Sequence, residues 1–270
     1  MKYRTLTILI ASLSMTGCFS PRVALVDRAG TPRAAAQIHN TASTLSGNYR
    51  TVGVIHLPTA PGDFPAKSAV AAGKVGATDV AFFQGYPITA NALALEKLSG
   101  SSGPGWKVEK SRPLVVKIPV IRMKQYTFEI TDERPISAIS DKSIARNQCG
   151  MITWWLATKG YYPVLKGHSN SQLRSRESDA DKLGYDLEFR VRLVDEHAST
   201  MILVNSKTVA VEVQLVRISN GTVYASARES FTSSQGLIND AFVNKDLDAL
   251  GGAISAAIMK LPDNFIGEVQ

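Results

Sequence analysis

The second half of the chain shows a two-residue alternation of apolar and polar positions. The alternation is clearest just before residue 195, and its apolar members are Tyr185, Leu187, Phe189, Val191 and Leu193. The same period recurs over residues 209–215, and Ser219-Asn220-Gly221 has the composition of a hairpin turn that leads into residues 222–230. This pattern predicts antiparallel strands with one buried face and one solvated face.

Helical spacing flanks these strands. Apolar residues recur every three or four positions over residues 144–156, where Gly160 supplies a C-terminal stop, and again over residues 247–261. Shorter strands are predicted over residues 126–130 and 161–165. Helices that cover one face of a mixed or antiparallel sheet form an α+β layer, which is the predicted fold class.

The first half predicts a smaller β-α-β unit, with a strand over residues 51–57, a helix over 66–74 and a buried strand over 78–83. The Gly/Ser-rich stretch 99–105 has two interpretations: an interdomain linker, or the tip of a long hairpin. We favour the hairpin because both flanks have the composition of strands. The boundary between the halves is then expected near residues 113–119.

The N-terminus has the layout of a secretory signal. A basic head precedes an apolar run over residues 6–13, which is too short to span a bilayer. Thr16-Gly17-Cys18 resembles the bacterial lipobox, in which the cysteine is diacylated, the signal is cut before it and the new amine is acylated. Met15 stands where that motif usually has Leu. A large residue there argues more against ordinary signal cleavage than against lipidation.

The lipobox resemblance makes Cys18 the predicted lipidation site and the membrane a predicted partner. Family members retained in the inner membrane carry Asp after the cysteine, so Phe19 implies an outer-membrane protein anchored at the periplasmic face. The predicted organisation is a signal peptide over residues 1–17, a lipidated tether over 18–46, a β-α-β segment with hairpin over 47–118 and an α/β domain over 119–268.

Charge changes this picture little. Removal of the signal takes away Lys2 and Arg4, which lowers the formal net charge from +7 to +5. An excess of this size suits weak attraction to anionic glycan or lipid headgroups, although an ordinary solvated surface has the same composition. No basic cluster with interleaved aromatic residues occurs, so nucleic acid is not expected as a partner.

The order of elements in the second half resembles a known family. The resemblance rests on four features in this order: a strand and turn at Phe128-Glu-Ile130-Thr-Asp132-Glu-Arg134-Pro135, a helix running into Leu156-Ala-Thr-Lys-Gly160, the Asn220-Gly221 hairpin and a closing helix from Asn244. Residues 126–268 resemble the YajG-type outer-membrane lipoproteins and are similar in layout to the N-terminal domain of TolB. The resemblance implies a periplasm-facing lipoprotein without a known active site that works by protein contact.

Catalytic signatures are missing from the sequence. It contains no Gly-x-Ser-x-Gly, His-Glu-x-x-His, Cys-x-x-Cys or phosphate-loop motif. Residues 167–171 place His168 beside Ser169, but adjacency in sequence is not triad geometry. Glu177, Asp179 and Asp181 lack calcium-loop spacing, and Cys149 is expected to be a small buried group. We therefore predict a non-enzyme with no metal and no cofactor.

Three hypotheses about function remain open. The first is an envelope interaction protein, whose predicted partner contacts are Trp154, Tyr161 and Tyr162 because aromatic residues anchor interfaces. The second is a cell-wall hydrolase that uses a carboxylate in the cleft between the segments, with Asp63, Asp79 or Asp132 as candidates. The third is a small-ligand module with an apolar cleft lined from both halves. His56, at a strand end, is a further candidate ligand or base, but a loop histidine is the ordinary interpretation.

Overall fold

The computed structural model describes residues 20–57, 63–83, 90–100, 102–109, 113–124, 127–131, 142–166, 179–201, 204–236 and 245–270. Within these ranges the chain forms two mixed sheets with helices packed against them, so the predicted α+β class is confirmed. Cys18, Asp132 and the loop at 167–171 lie outside the described residues, as does Glu177.

The first sheet is assembled from both ends of the chain. Its members are β1 (Arg22–Leu25), β2 (Gln37–His39), β3 (Gly47–Leu57), β4 (Asp79–Ala81), β5 (Ala90–Lys97), β6 (Trp106–Val108) and β14 (Gly267–Val269). The strand order is β14-β1-β3-β5-β4-β2, and β6 pairs in parallel with β3. The predicted β-α-β unit is present as β3, helix α1 (Phe64–Lys74) and β4, with β5 lying between the two strands.

Helix α1 forms where the sequence predicts it, because Pro65 suits the first helical turn and Gly76 follows the end with a φ of +83°. Its buried side is rich in alanine, which lets the helix lie close to the sheet. Phe64 packs edge-on against Phe82, with the ring centroids 5.7 Å apart. The helix therefore presents its other side, which carries Lys67 and Lys74, to solvent.

The second sheet contains the alternating strands. Its order is β10-β7-β11-β12-β13, with members β7 (Val115–Ile118), β10 (Tyr162–Leu165), β11 (Leu187–Met201), β12 (Val204–Arg217) and β13 (Val223–Gly236). The last three are antiparallel, as predicted, while β7 is parallel to both β10 and β11. A separate pair is formed by β8 (Val120–Lys124) and β9 (Thr127–Thr131).

Two long helices cover this second sheet. They are α2 (Lys142–Thr158) and α4 (Lys245–Met259), and residues 179–183 form a short helix, α3. One core cluster unites Ile152 and Leu156 of α2, Ile254 of α4 and the inward residues of β11 and β12. The predicted stop at Gly160 is confirmed by its φ of +81°. No helix within the described ranges is both long and apolar enough to cross a bilayer.

A shared core joins the two sheets. One buried cluster contains Phe83 and Leu93 of the first segment together with Val115, Tyr162 and Val164 of the second. Phe83 meets the ring of Tyr162 edge-on, with the centroids 5.4 Å apart. The two segments therefore bury apolar surface against each other in addition to the core cluster that each has of its own.

The structure differs from the predicted organisation at three places. The tether over 18–46 is folded from Arg22 onward, since β1 and β2 are strands of the first sheet. Residues 99–105 are neither a linker nor a hairpin tip, because β6 pairs with β3 and not with β5. The boundary after residue 118 fails because β7 lies in the second sheet and β14 returns to the first. Strands of three or four residues are too short to show a period in the sequence.

Candidate functional site

A chain of hydrogen bonds links three side chains at one edge of the first sheet. His39 on β2 lies with its Nε2 2.8 Å from Asp79 Oδ1 on β4 and its Nδ1 2.8 Å from the Thr44 hydroxyl. His39 and Asp79 are buried, whereas Thr44 is exposed in the 3₁₀ turn Ala42–Thr44. The order hydroxyl, imidazole, carboxylate is the order used to activate a nucleophile.

The hydrogen bonds of this chain also serve to hold the turn in place. Thr44 Oγ1 lies within hydrogen-bond distance of the Thr41 carbonyl, at 2.9 Å, and of His39 Nδ1, and the imidazole tautomer decides which of the two receives its proton. The network fastens the 3₁₀ turn to β2 and β4. Asp79, a predicted hydrolase carboxylate, is here a buried partner of His39.

A cavity of about 400 Å³ opens beside this turn. Its walls come from both segments and are mixed in polarity: Ser43, Gly105, Trp106, Lys107, Val108, Lys182 and Leu183. Asp179 is buried next to it, where it accepts the Ser43 backbone N–H at 3.2 Å and lies 3.5 Å from Lys182 Nζ. This is the place where a ligand module between the halves would bind, although its lining is more polar than the predicted apolar cleft.

The acidic residues near α3 are already paired with cations. Asp181 accepts a hydrogen bond from Lys166 at 2.7 Å, and Asp179 is paired with Lys182 at 3.5 Å. Among the described residues no group of three or more His, Cys, Asp or Glu side chains is placed to hold a metal ion.

A second polar cluster is buried where α2 covers the first sheet. His56 on β3 is fully buried, and its direct neighbours across the sheet are Arg22 on β1 and Asn91 on β5. Trp154 of α2 stands edge-on to the imidazole, with the centroids 6.3 Å apart, and Glu268 Oε1 is 3.8 Å from Nε2. The imidazole nitrogens, the Asn91 amide atoms and Trp154 Nε1 make no hydrogen bond to any described residue.

Burial decides the charge of His56. Removal from water, with a smaller effect from the charge of Arg22, lowers the pKa of His56 from 6.5 to about 3. The ring is therefore neutral near pH 7. His56 is an uncharged strand residue inside the protein, which corrects the interpretation of it as a loop histidine.

The predicted partner-contact residues do not form a surface. Tyr161 and Tyr162 are fully buried, the first donating its hydroxyl to the Pro262 carbonyl at 2.6 Å and the second packed on Phe83. Side chains without exposed surface cannot contact a partner, so both are corrected to packing residues. Trp154 is half-buried between His56 and Trp155, whose ring centroid is 4.2 Å away.

The other candidates fall in separate places. Asp63 is exposed before α1, where Lys67 at 2.8 Å keeps the pKa of Asp63 below its usual value. Cys149 is fully buried in the core, as expected. Sequence reasoning missed His39 and Asn91, because their neighbours come from strands distant in the chain.

Comparisons with known proteins give low similarity throughout. No protein-family model matches the chain, and no curated protein matches it. Lipoprotein GNA1162 from Neisseria meningitidis aligns with a TM-score of 0.31 and 17% identity over 53% of this chain and 96% of that one. The PelC dodecamer of Paraburkholderia phytofirmans aligns with a TM-score of 0.30 and 11% identity over 54% of this chain and 85% of that one.

A further solved structure, protein XCC0632 from Xanthomonas campestris of family DUF330, aligns with a TM-score of 0.25 and 10% identity over 54% of this chain and 77% of that one. At such TM-scores and identities, none of these likenesses carries an argument about this chain. The resemblance to YajG-type lipoproteins therefore stays a prediction from the order of elements in residues 126–268.

Proposed function

We propose that the protein is a lipid-anchored component of the cell envelope that acts by binding other envelope proteins, without catalysis, at the periplasmic face of the outer membrane. The observation that carries this is the lipobox-like Thr16-Gly17-Cys18 directly ahead of a folded chain. Phe19 favours the outer over the inner membrane, as the lipobox resemblance implies.

The anchor has a simple physical basis. A single acyl chain holds a protein to a bilayer only marginally, and each buried methylene adds ~0.8 kcal/mol. The modification that the lipobox implies places three chains on Cys18, so attachment is effectively permanent. Such an anchor confines the tasks of the protein to what it can reach from the membrane surface.

An open sheet edge supports the interaction role. Strand β13 runs over Val223–Gly236, and among the described residues it pairs with β12 alone. A long unpaired edge presents free backbone N–H and C=O groups that can accept a strand from another chain. At the turn that leads into β13, Ile218 and Val223 are 46% and 53% exposed, which adds apolar contact area.

The anchor is tested by growing the native host with radioactive palmitate. We expect label in the wild type and in Cys149→Ser, which removes the other cysteine of the chain, and no label in Cys18→Ser. Wild type and Cys149→Ser are expected to fractionate with the outer membrane. Label that survives in Cys18→Ser, or no label in the wild type, would contradict the anchor.

The interaction role is tested by crosslinking intact envelopes and capturing the lipidated protein. We expect a specific envelope protein to co-purify, with crosslinks that include β13. Recovery of nothing beyond lipid and abundant porins would contradict the interaction role while leaving the anchor in place.

A further inference from the structure

An open groove lies beside Ser20, the first described residue of the chain. Helix α1 presents an exposed stripe of Ala66, Lys67, Val70 and Lys74, which Asp63 directly before the helix extends, and their spacing keeps them on one side. The facing wall comes from the first described residues, Ser20, Pro21 and Arg22, and from Gln270. The space between them measures about 440 Å³. We call these residues the anchor-proximal groove.

Chain length ties this groove to the membrane. Cys18 is two residues before Ser20, and consecutive Cα atoms are 3.8 Å apart, so the two Cα atoms lie within ~8 Å of each other. The headgroup layer of a bilayer is ~5–8 Å thick on each side. A lipid attached at Cys18 therefore holds the groove at the level of the headgroups.

The charges of the groove suit an anionic surface. Arg22, Lys67 and Lys74 line it together with Asp63 and Gln270. Asp63 is paired with Lys67 at 2.8 Å and Glu268 of β14 with Arg22 at 3.7 Å, so the three cations outnumber the two carboxylate side chains described here. Arg33 lies near the end of α1, because its backbone N–H donates to the Gly73 carbonyl, and its side chain is exposed. Each Lys or Arg close to an anionic membrane contributes about 1 kcal/mol of attraction.

The centre of the exposed stripe is apolar. Val70 is 47% exposed on α1, with Lys67 and Lys74 one turn to either side. Lysines on either side of an exposed apolar residue suit a membrane interface, where the apolar side chain can leave water and the ammonium groups meet the headgroups. Lysine stems extend along apolar surface while their ammonium groups stay in water.

From this geometry we propose that the anchor-proximal groove is a membrane-contact surface, in which Arg22, Lys67 and Lys74 bind anionic phospholipid headgroups and Val70 enters the interface. The contact fixes one orientation of the fold on the bilayer. The proposal rests on the proposed function, because the lipid at Cys18 brings the groove to the surface.

The test uses the lipidated mature protein in vesicles. A fluorophore is attached through Val70→Cys, and a matched control carries it through Ile218→Cys, a site 46% exposed in the second segment. Cys149 is fully buried and the Cys18 thiol is acylated, so each variant offers one reactive thiol. The vesicles contain phosphatidylglycerol, phosphatidylcholine and a headgroup nitroxide lipid, with phosphatidylcholine and nitroxide lipid alone as the neutral comparison.

We expect quenching at position 70 and none at position 218, and the quenching should weaken in neutral vesicles and in high salt. The double variant Lys67→Gln/Lys74→Gln removes two charges, which lowers the ratio of docked to undocked protein about thirtyfold at ~1 kcal/mol per residue. The matched control is Lys182→Gln/Lys260→Gln, whose lysines are 61% and 64% exposed in the second segment and also ion-paired. This control should leave the quenching unchanged.

The outcomes separate the two proposals. Equal quenching at positions 70 and 218, or quenching at 70 that survives in Lys67→Gln/Lys74→Gln, would overturn the membrane-contact surface while palmitate labelling leaves the anchor intact. A wild type without palmitate label would overturn the proposed function and this surface together.

Discussion

Replacing Tyr162 by alanine tests whether the buried cluster at the junction stabilises both segments. The side chain is fully buried in the cluster that unites both sheets, and its ring meets Phe83 edge-on with the centroids 5.4 Å apart. Truncation of a buried aromatic residue to alanine costs ~3–5 kcal/mol, and an edge-to-face pair adds ~0.5–1.5 kcal/mol beyond burial. We therefore expect Tyr162→Ala to lower the free energy of unfolding by about 4 kcal/mol.

Urea unfolding followed by circular dichroism measures this loss. With a denaturant slope of roughly 2 kcal/mol per molar, the midpoint should fall by about 2 M. The control is Ile266→Ala, because that side chain is 69% exposed and its removal should change stability by no more than about 0.5 kcal/mol.

Hydrogen exchange shows whether both segments lose stability in Tyr162→Ala. If the core is common to both segments, the amides of β5 in the first sheet and of β10 in the second should lose protection to the same extent in Tyr162→Ala. Loss of protection in β10 with β5 unchanged would refute the shared core. A midpoint shift as small as that of Ile266→Ala would refute the assigned burial.

Two further predictions concern backbone geometry and pH. Gly160 has a φ of +81° and a Cβ there would lie 2.6 Å from the Asn264 carbonyl oxygen, whereas Gly184 has the same φ and open space around it. Thermal unfolding should therefore show a loss of about 3 kcal/mol for Gly160→Ala against about 1 kcal/mol for Gly184→Ala, and equal losses would contradict the packing of this helix end. Burial and the charge of Arg22 lower the pKa of His56 from 6.5 to about 3 in the folded protein. Between these two pH values the unfolded chain binds a proton at His56 that the folded protein does not bind. The free energy of unfolding therefore decreases as the pH falls through this range. The contribution of His56 to the free energy of unfolding should decrease by about 2 kcal/mol between pH 7 and pH 5. If His56→Gln showed the same pH dependence of stability as the wild type, His56 would not be its cause.

The long periodic elements were predictable because their information is local. The alternation in residues 185–193 and the Asn220-Gly221 turn identify β11, β12 and β13, and Gly160 marks the end of α2 without reference to the rest of the fold. Over residues 187–193 and 209–215 one side of the strand is buried or half-buried, so the period is visible in the sequence.

The sheet edges were not predictable for the opposite reason. Strand β1 has four residues and β14 has three, and Val23 pairs with Val269 from the far end of the chain. Such short strands are stabilised by the neighbours they join and not by their own pattern. The composition of residues 99–105 does not show that β6 pairs with β3, because that pairing depends on where β6 lies in the folded sheet.

The candidate sites depend on the same distant pairings. His39 and Asp79 are forty residues apart and meet because β2 and β4 are parallel neighbours. The aromatic composition of Tyr161 and Tyr162 suggested an interface, but the same apolar rings fill the core when a strand is covered on both faces. Residue type identified the chemistry of these side chains, and pairing decided their exposure.

Mass spectrometry of the N-terminal peptide from protein purified out of the native host's membranes tests the central claim most directly. The account predicts that the mature chain begins at Cys18 and carries the mass of three acyl chains. A chain that begins at another residue, or a Cys18 with an unmodified thiol, would contradict it.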